Sequence, residues 1–578
     1  MSELVDLRTS QERARELGRR SVRWPSWTLS RRQLCDLELL GCGGFSPLKG
    51  FLGEADYRSV CESMRLADGT LWPIPVVLDI DAATQRAVGA RGWLALRDPE
   101  GTLVAVLRVE HAWRPDLAAE AVAVFGTTDV AHPGVAHLRR QTREWYVSGA
   151  LEVLELPQHH GFRAHRHTPD ELRAEFAARG WDRVVAFQTR NPMHRAHQQL
   201  TLRAMRDADA TLLIHPIVGI GKPGDIDVAT RLRCYRALLP TYPPGSAVLS
   251  LLPLAMRMAG PREAVWHALI RRNYGATHFI VGRDHAGPGL RPDGRPFYDP
   301  YAGHRLLHAH VGELGLRILT YPRMIYVPGQ DRYLPEDQVP AGEEALAISG
   351  TELRRRLATG VDLPEWFTPP EVAAELRRSF PPRDEQGFTV FFTGLSGAGK
   401  SSIARELEAL LTERHGRPVT LLDGDVARTH LSGELGYSRA DRDRNIARLG
   451  YVAAEITKHR GIAICAAIAP FDTARRRVRE AVSATGGFVL AFVDAPLPWC
   501  ESRDRKGLYA KARAGVIEQF TGISDPYEPP LDADLVIDPA AESAAGAAQR
   551  VLDHLYALGY LRDPGPGSDN GDVLGRIR

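Results

Sequence analysis

The chain has 578 residues, which suggests three or four domains at roughly 150 residues each. Its hydrophobic fraction of 44% and charged fraction of 25% are those of globular proteins and exclude extensive disorder. The 73 basic and 71 acidic residues leave a net charge of +2, which argues against a protein that coats nucleic acid or an anionic membrane.

The N-terminal region, residues 1–165, is predicted to be a mainly β module with some helices. Short apolar runs at Leu71–Ile80 and Leu103–Val109 are punctuated by Gly, Pro and Asp, which is typical of strands and turns. The first twenty residues are charged and lack the apolar core of a signal peptide. No apolar run reaches 18 residues, and the six cysteines include no CxxC pair. We therefore expect a soluble, cytoplasmic protein with reduced thiols.

From residue 166 the pattern changes to strand–helix alternation, which predicts a parallel sheet covered by helices over 166–329. A helix is expected at Arg262–Arg272, and the candidate strands are Val184–Gln188, Thr211–Val218, Val248–Leu252 and Phe279–Val281. Residues 330–385 are mixed, with a helical stretch near Thr351–Leu357, and predict a small connector domain that ends in a linker.

A polar segment with two histidines follows the first strand of this sheet. It is Gln188-Thr-Arg-Asn-Pro-Met-His194-Arg-Ala-His197, and its histidines share one face of the first helical turn. Ligands bind at the carboxyl ends of parallel strands, where imidazole N–H groups can neutralise charge on an attacked α-phosphate or a leaving pyrophosphate. Metal binding is the competing interpretation, although no third ligand lies nearby. Alone, the two histidines fit a surface or core role as well.

A second α/β unit is predicted over 386–562, followed by a disordered tail at 563–578. Its candidate strands are Phe388–Thr393, Val419–Leu422, Ile462–Ile468 and Phe488–Val493. After the first strand comes a complete phosphate loop, Gly394, Leu395, Ser396, Gly397, Ala398, Gly399, Lys400 and Ser401. Lys400 is expected at the β/γ-phosphates of a nucleoside triphosphate, and the Ser401 hydroxyl on Mg²⁺.

Asp423 and Asp425 end the next strand, where a carboxylate can hold Mg²⁺-bound water or accept a hydroxyl proton. Together with Asp441-Arg442, Asn445, the segment from Lys506 and Phe520-Thr-Gly, they make residues 388–540 resemble adenylylsulfate (APS) kinase. That family phosphorylates the 3′-hydroxyl of APS to give PAPS.

The resemblance implies catalytic roles for Lys400 and Asp425, with Mg²⁺ held by Ser401 and Asp425. It implies APS contacts from Asp423, Arg428, Tyr437, Arg442, Asn445, Lys506 and Phe520, in which Tyr437 and Phe520 sandwich the adenine. The segment from Lys506 to Arg513 resembles the mobile lid. Three residues depart from the family pattern, namely Val426, Arg444 and Ala469. Because Ala469 replaces the usual serine, no phosphoserine forms there.

Residues 1–385 resemble ATP sulfurylase, which joins ATP and sulfate to give APS and pyrophosphate. Beside the histidine segment, the resemblance rests on Gln33-Leu-Cys-Asp-Leu-Glu-Leu-Leu, Gly43-Gly-Phe-Ser-Pro-Leu, Leu71-Trp-Pro-Ile-Pro, Pro261-Arg-Glu-Ala and Gly282-Arg-Asp-His-Ala-Gly-Pro-Gly. It implies an α/β multidomain fold: a β-rich (PUA-like) module, a Rossmann-like nucleotidyltransferase domain, a small connector and a P-loop kinase domain.

The sulfurylase site follows by the same resemblance. Catalysis is assigned to Thr189, Arg190, Asn191, His194 and His197, and sulfate binding to Gln188, Arg190 and Ala286. ATP binding is assigned to Gln188, Thr189, Arg190, Asn191, Gly282, Arg283, Asp284, His285 and Ile325. Mg²⁺ is expected with ATP. Zinc is not, because Leu290–His310 has no cysteine.

The leading hypothesis is a bifunctional, homo-oligomeric enzyme that converts ATP and sulfate to APS and then to PAPS. In the alternative, the sulfurylase is active and the kinase-like domain is only an allosteric PAPS/APS sensor, but the intact phosphate loop weighs against it. A third hypothesis is an RNA-binding nucleotidyltransferase, because HxxH also resembles the signature of aminoacyl-tRNA synthetases. The near-zero net charge and the absence of a basic, aromatic-laced run weigh against that class and against nucleic-acid partners.

Overall fold

The structure is a computed structural model that describes residues 3–89, 92–222 and 225–562. The chain divides into two compact units. The first unit comprises Met1–Gly350 and Leu363–Ser379, and the second comprises Thr351–Asp362 and Phe380–Arg578. The tail predicted to be disordered, 563–578, lies outside the described residues.

The N-terminal part of the first unit is a mixed α/β module. Its strands are β1 (Ser26–Thr28), β2 (Leu78–Ile80), β3 (Trp93–Arg97), β4 (Leu103–Trp113) and β5 (Trp145–Val153). Its helices are α1 (Gln11–Ser21), α2 (Arg31–Gly41), α3 (Glu54–Ser63), α4 (Ala82–Val88), α5 (Leu117–Phe125) and α6 (Pro133–Arg140). The strands form one sheet in the order β1-β3-β4-β5-β2, with a parallel β1–β3 pair and antiparallel pairs elsewhere.

The apolar run Leu71–Ile80 forms a strand only over its last three residues, β2. Pro73 and Pro75 lack the N–H that a sheet ladder needs, so the earlier residues are largely buried but join no strand, and only Leu71 forms an isolated bridge, with Arg65. Trp72 in this run is fully buried and meets Phe45 at 5.8 Å and Trp266 at 6.4 Å between ring centroids. The N-terminal part therefore shares one hydrophobic core with the rest of the first unit.

The centre of the first unit is the expected parallel sheet. Its strands are β6 (Val184–Phe187), β7 (Thr211–Ile214), β8 (Ala247–Leu249), β9 (His278–Val281) and β10 (Arg317–Thr320), in the order β10-β9-β6-β7-β8. The helices are α7 (Pro169–Ala178), α8 (Arg195–Ala208), α9 (Val228–Leu238), α10 (Pro261–Asn273), α11 (Ala302–Ala309) and α12 (Val311–Leu314). The chain moves outward from β6 to β8 and returns on the other side at β9. Loops after β6 and β9 therefore meet at a topological switch point, where open α/β sheets bind ligands.

The predicted connector, 330–385, contributes to both units. It is preceded by β11 (Met324–Val327), which forms an antiparallel hairpin with β12 (Arg332–Pro335) and packs against α8. Helix α13 (Gly350–Thr359) lies mostly in the second unit. Helix α14 (Pro370–Ser379) belongs to the first unit, where it packs against α9.

The second unit is built on another all-parallel sheet. Its strands are β13 (Phe388–Thr393), β14 (Val419–Asp423), β15 (Ile462–Ala466), β16 (Gly487–Val493) and β17 (Leu535–Ile537), in the order β14-β15-β13-β16-β17. Its helices are α15 (Lys400–His415), α16 (Gly424–Leu431), α17 (Arg439–Lys458), α18 (Asp472–Ser483), α19 (Leu497–Ser502), α20 (Leu508–Arg513) and α21 (Ala544–Ala557). The central strand β13 leads through the phosphate loop into α15.

No helix in the described ranges combines the length and the apolar character that crossing a bilayer requires.

Candidate functional sites

Hydrogen bonds within the loop after β6, and one from α9, hold the loop in place. Thr189 Oγ accepts the Asn191 N–H at 3.1 Å and donates to the Asn191 carbonyl at 3.0 Å. The Tyr235 hydroxyl donates to the same carbonyl at 2.7 Å. Gln188 Oε1 is buried and has no hydrogen-bond partner among the described residues. Because an unpaired buried acceptor is costly, Gln188 offers an unfilled hydrogen-bonding position at this edge of the sheet.

The two histidines lie at the start of α8, although not both on its first turn as predicted. His194 is the residue before the helix, and its backbone N–H donates to His197 Nδ1 at 3.2 Å. His194 Nδ1 lies 3.1 Å from Thr368 Oγ1, and its ring stacks on Phe367 at 4.3 Å. Burial lowers the pKa of His194 to about 3 and that of His197 to about 4, so both rings are neutral at pH 7.

The Gly282–Gly289 loop leaves β9 beside β6, as the register Phe187↔Ile280 requires. Asp284 and Ala286 have positive φ values of 54° and 56°, and facing Met258 has 61°. Such conformations are costly for non-glycine residues and recur at functional sites. The Ala286 carbonyl accepts the Gly260 N–H at 3.2 Å, whereas within the described ranges the Ala286 N–H has no acceptor.

Positive charge surrounds this loop. Burial raises the pKa of Asp284, while the charges of Arg190, Arg283 and Lys222 oppose that rise. A Cβ on Gly289 would lie 2.7 Å from Lys222 Nζ, so the lysine rests on the loop. Lys222 was not among the predicted site residues. The sequence feature that could have drawn attention to Lys222 is the rarity of lysine, because the chain has six lysines against 67 arginines.

The structure brings most predicted residues of this site to one edge. Gly282, Arg283 and Asp284 are exposed there, and the charge of Arg190 acts on both Asp284 and His285. Arg190 itself donates to the Met258 sulfur at 3.5 Å. Ile325 is buried on β11, the strand that packs against α8.

The lysine of the phosphate loop in the second unit donates hydrogen bonds to carbonyl groups of the same loop. Lys400 Nζ donates to the Gly394 carbonyl at 3.0 Å and to the Leu395 carbonyl at 2.7 Å. Burial lowers the Lys400 pKa to about 8. A Cβ at Gly394, where φ is 147°, would lie 2.4 Å from the Val493 carbonyl oxygen, so only glycine fits. The Tyr509 hydroxyl of α20 donates to the Ser396 carbonyl at 2.8 Å, which connects the predicted lid segment to the loop.

The carboxylate beside Ser401 is not the one that was predicted to share its magnesium ion. Ser401 Oγ donates to Asp423 Oδ2 at 2.6 Å, so Asp423 is the carboxylate beside the serine. Asp425 instead contacts Lys506 of the predicted lid, and both of these side chains are largely exposed. The difference arises because Asp423 ends β14 whereas Asp425 has already entered α16. Serine and carboxylate oxygens are ligands that Mg²⁺ prefers.

Four of the predicted APS contacts lie on α16 (Arg428), on α17 (Arg442 and Asn445) and in the Phe520 segment. Arg442 is buried, contacts the Thr521 hydroxyl and the Gln519 carbonyl, and lies 3.3 Å from Asp525 Oδ2. Asn445 is buried one turn further along α17.

The two aromatic residues predicted to sandwich the adenine have different partners in the structure. The Arg428 guanidinium lies 4.3 Å from the ring centroid of Tyr437, which is 60% exposed. Phe520 meets Tyr509 edge-on, at 5.0 Å between ring centroids. The sandwich therefore stays a prediction.

The three departures from the family pattern lie outside the phosphate loop. Val426 is exposed on α16, and Arg444 is exposed 3.6 Å from Asp441. Ala469 is buried with φ 43°, and its carbonyl accepts a hydrogen bond from Arg475 at 2.7 Å.

Family models match three consecutive segments of the chain. Residues 1–156 match the PUA-like domain, 163–379 ATP-sulfurylase and 386–538 adenylylsulphate kinase. A sulfate adenylyltransferase of Phaeosphaeria nodorum is 51% identical over 95% of this chain and 96% of its own length. One from Chaetomium globosum is 51% identical over 94% and 96%. A solved structure, the hexameric APS kinase from Thiobacillus denitrificans, is 38% identical, with a TM-score of 0.79 and coverage of 97% and 99%.

Proposed function

Because the chain belongs to the sulfate adenylyltransferase family and carries an adenylylsulfate kinase domain, it is a bifunctional sulfate-activating enzyme, and we propose that one unit makes APS from ATP and sulfate while the other phosphorylates APS to PAPS. We assign the sulfurylase to residues 1–329, with 330–385 as connector, and the kinase to 386–562. The observation that carries the proposal is that each unit has its own parallel sheet and, at the carboxyl edge of that sheet, its own group of residues suited to bind phosphate.

In the first unit, sulfate is assigned to the Arg190 guanidinium, the Gln188 amide and the Ala286 N–H. An arginine fork matches a tetrahedral oxyanion, and the Ala286 N–H has no other acceptor within the described ranges. Placing the dianion against the α-phosphorus requires the like charges to be neutralised. The Arg283 and Lys222 charges beside Asp284 supply part of that neutralisation. No protein nucleophile is required.

His197 suits the departing pyrophosphate as a neutral donor. Its Nδ1 accepts the His194 backbone N–H, so the ring proton of the neutral form is on Nε2. An Nε2–H group can donate to a phosphate oxygen at the sheet edge without needing protonation from solvent. His194 is assigned the same task, with Thr368 and Phe367 holding its ring.

In the second unit, the phosphate loop and Lys400 are assigned to the ATP phosphates. Ser401 and Asp423 would hold Mg²⁺, which neutralises charge on the β- and γ-phosphates when bound. Asp425 is assigned as the acceptor of the 3′-hydroxyl proton. Its contact with Lys506 links the predicted lid to the acceptor side. Arg428, Arg442, Asn445 and Phe520 are assigned to APS.

The test is incubation of the full chain with ATP, sulfate, Mg²⁺ and pyrophosphatase. PAPS is expected to accumulate, because the kinase removes APS from an unfavourable first equilibrium. Absence of PAPS with APS present would favour the sensor alternative. A second incubation with APS and ATP, beside the Lys400→Ala variant, then tests the kinase directly.

We further propose a homo-oligomer, supported by the likeness to a structure described as hexameric. Analytical ultracentrifugation measures the mass, and a monomer at micromolar concentration would contradict this.

A further inference from the structure

Helix α10 carries two fully buried polar residues that lead to His285 in the proposed ATP site. Glu263 and His267 are one turn apart, with His267 Nε2 3.3 Å from Glu263 Oε1. His267 Nδ1 lies 2.9 Å from His285 Nε2. Glu263, His267 and His285 therefore form a line of successive contacts from the interior to the loop after β9, which we call the relay.

The inner end of the relay is a carboxylate. Glu263 Oε1 accepts the Arg257 N–H at 2.9 Å, and Oε2 accepts the Ala259 N–H at 2.8 Å. Although burial raises the Glu263 pKa, the nearby His267 ring and the hydrogen bonds from these two N–H groups lower it on balance. His267 Nε2 makes no hydrogen bond within the described residues, but it lies 3.3 Å from this carboxylate. Because a lone pair on Nε2 would be repelled at that distance, the ring proton of neutral His267 is placed on Nε2.

The tautomer of His267 determines the tautomer of His285. Burial lowers the pKa of His267, so the ring is neutral and its Nδ1 is a lone pair. A lone pair at 2.9 Å requires a donor, which makes His285 Nε2 protonated. Burial together with His267, Arg271, His304 and Arg190 lowers the His285 pKa, so this ring is neutral too and its Nδ1 is an acceptor.

His285 Nδ1 remains available to a ligand. Within the described part of the chain, His285 Nδ1 makes no hydrogen bond and is not fully buried, so it retains solvent access. A neutral acceptor at this position has a restricted choice of partner on a nucleotide. Phosphate oxygens are themselves acceptors, whereas the ribose hydroxyls and the adenine amino group are donors.

We propose that Glu263 and His267 are positioning residues that fix the tautomer of His285, so that His285 Nδ1 accepts a hydrogen bond from a ribose hydroxyl or the adenine amino group of ATP. The proposal rests on the proposed sulfurylase function of the first unit. It gives the site's histidines opposite tasks, since His197 donates to phosphate while His285 accepts from the nucleoside.

The test compares nucleotides that lack one donor. Sulfate-dependent ATP–pyrophosphate exchange is measured with ATP, 2′-deoxy-ATP, 3′-deoxy-ATP and purine riboside triphosphate, in wild type and His267→Phe. One analogue is expected to lose about tenfold in kcat/KM with wild type, the worth of one hydrogen bond. In His267→Phe this penalty is expected to vanish, because His285 is free to take the other tautomer.

His267→Asn is the matched rescue, since its side-chain oxygen can accept from His285 Nε2 and should restore the penalty. His285→Leu removes the acceptor and should abolish the penalty independently of His267. Kinase activity of the second unit and circular dichroism report folding. Equal penalties in wild type, His267→Phe and His285→Leu for every analogue would overturn the proposal.

Calorimetric binding of the same nucleotides gives the comparison without turnover. Wild type that binds ATP but shows no sulfate-dependent exchange would contradict the sulfurylase function. The binding penalties would still decide whether the relay sets the tautomer.

Discussion

The Ser401 hydroxyl donates a 2.6 Å hydrogen bond to the Asp423 carboxylate. This contact joins the N-terminus of α15 to the carboxyl end of β14. It distinguishes the positions of two acidic residues that belong to one Asp-Gly-Asp motif in the sequence, because Asp425 contacts Lys506 instead.

Asp423→Ala is therefore expected to weaken Mg²⁺-dependent phosphorylation of APS by at least about 10²-fold, because Ser401 alone is a poor ligand. Titration of initial rates with Mg²⁺ should show a raised half-saturating concentration. Glu434→Gln, at an exposed acidic residue of the same unit, is the control. Unchanged Mg²⁺ dependence in Asp423→Ala would refute the magnesium assignment.

The two proposed sites should fail independently. Arg190→Ala is expected to lower APS formation by at least about 10²-fold and leave phosphorylation of added APS intact, since it removes a charge-neutralising fork from the first unit only. Lys400→Ala should have the reverse effect. Separate assays of the two half-reactions measure this. If either change silenced both activities in a folded protein, the two-site assignment would be wrong.

Lys222→Ala should raise the KM for ATP in the sulfurylase reaction by about tenfold, because it removes a cation that rests on the Gly289 end of the loop. Lys222→Arg should recover only part of the loss, since a guanidinium is broader than an ammonium. Lys49→Ala, at an exposed lysine, is the control. A KM unaffected by Lys222→Ala would place the lysine outside the site.

Glu120 gives the first unit a pH-dependent stability. Its Oε2 accepts the Tyr57 and Tyr146 hydroxyls at 3.0 and 2.9 Å, and burial raises its pKa from 4.5 to about 7. Between these values the folded state binds a proton that the unfolded state has lost. Stability therefore falls as the pH rises from 4.5 to 7 and stays low above 7.

Glu120→Gln keeps the acceptor and removes the charge. Relative to wild type, the variant should gain about 3 kcal/mol of unfolding free energy between pH 4.5 and 8. Urea denaturation followed by tryptophan fluorescence at several pH values measures the difference, with Trp113 5.9 Å from Tyr57 as a nearby reporter. A difference that does not change with pH would show that the carboxyl is not shifted.

Much of the architecture could be predicted because it depends on local pattern. Strand–helix alternation predicted the parallel strands, and the Gly394–Ser401 spacing located the phosphate loop between β13 and α15. Most of the run Leu71–Ile80 does not form a strand, because hydrophobicity indicates burial, whereas Pro73 and Pro75 limit which residues can pair. His194 and His197 were placed on one helical turn, but helix starts depend on capping contacts, here between the two histidines themselves.

By itself, the sequence determined the family, the two parallel sheets and the main loops that carry polar residues, because motif spacing and apolar periodicity are properties of neighbouring residues. Only the tertiary structure decided which distant side chains meet: Ser401 with Asp423, Lys222 with the Gly289 loop, and Glu263 through His267 with His285. These pairings depend on strand order and on how α10 packs beneath β9. Strand order is set by burial of the whole sheet, so no local pattern encodes it.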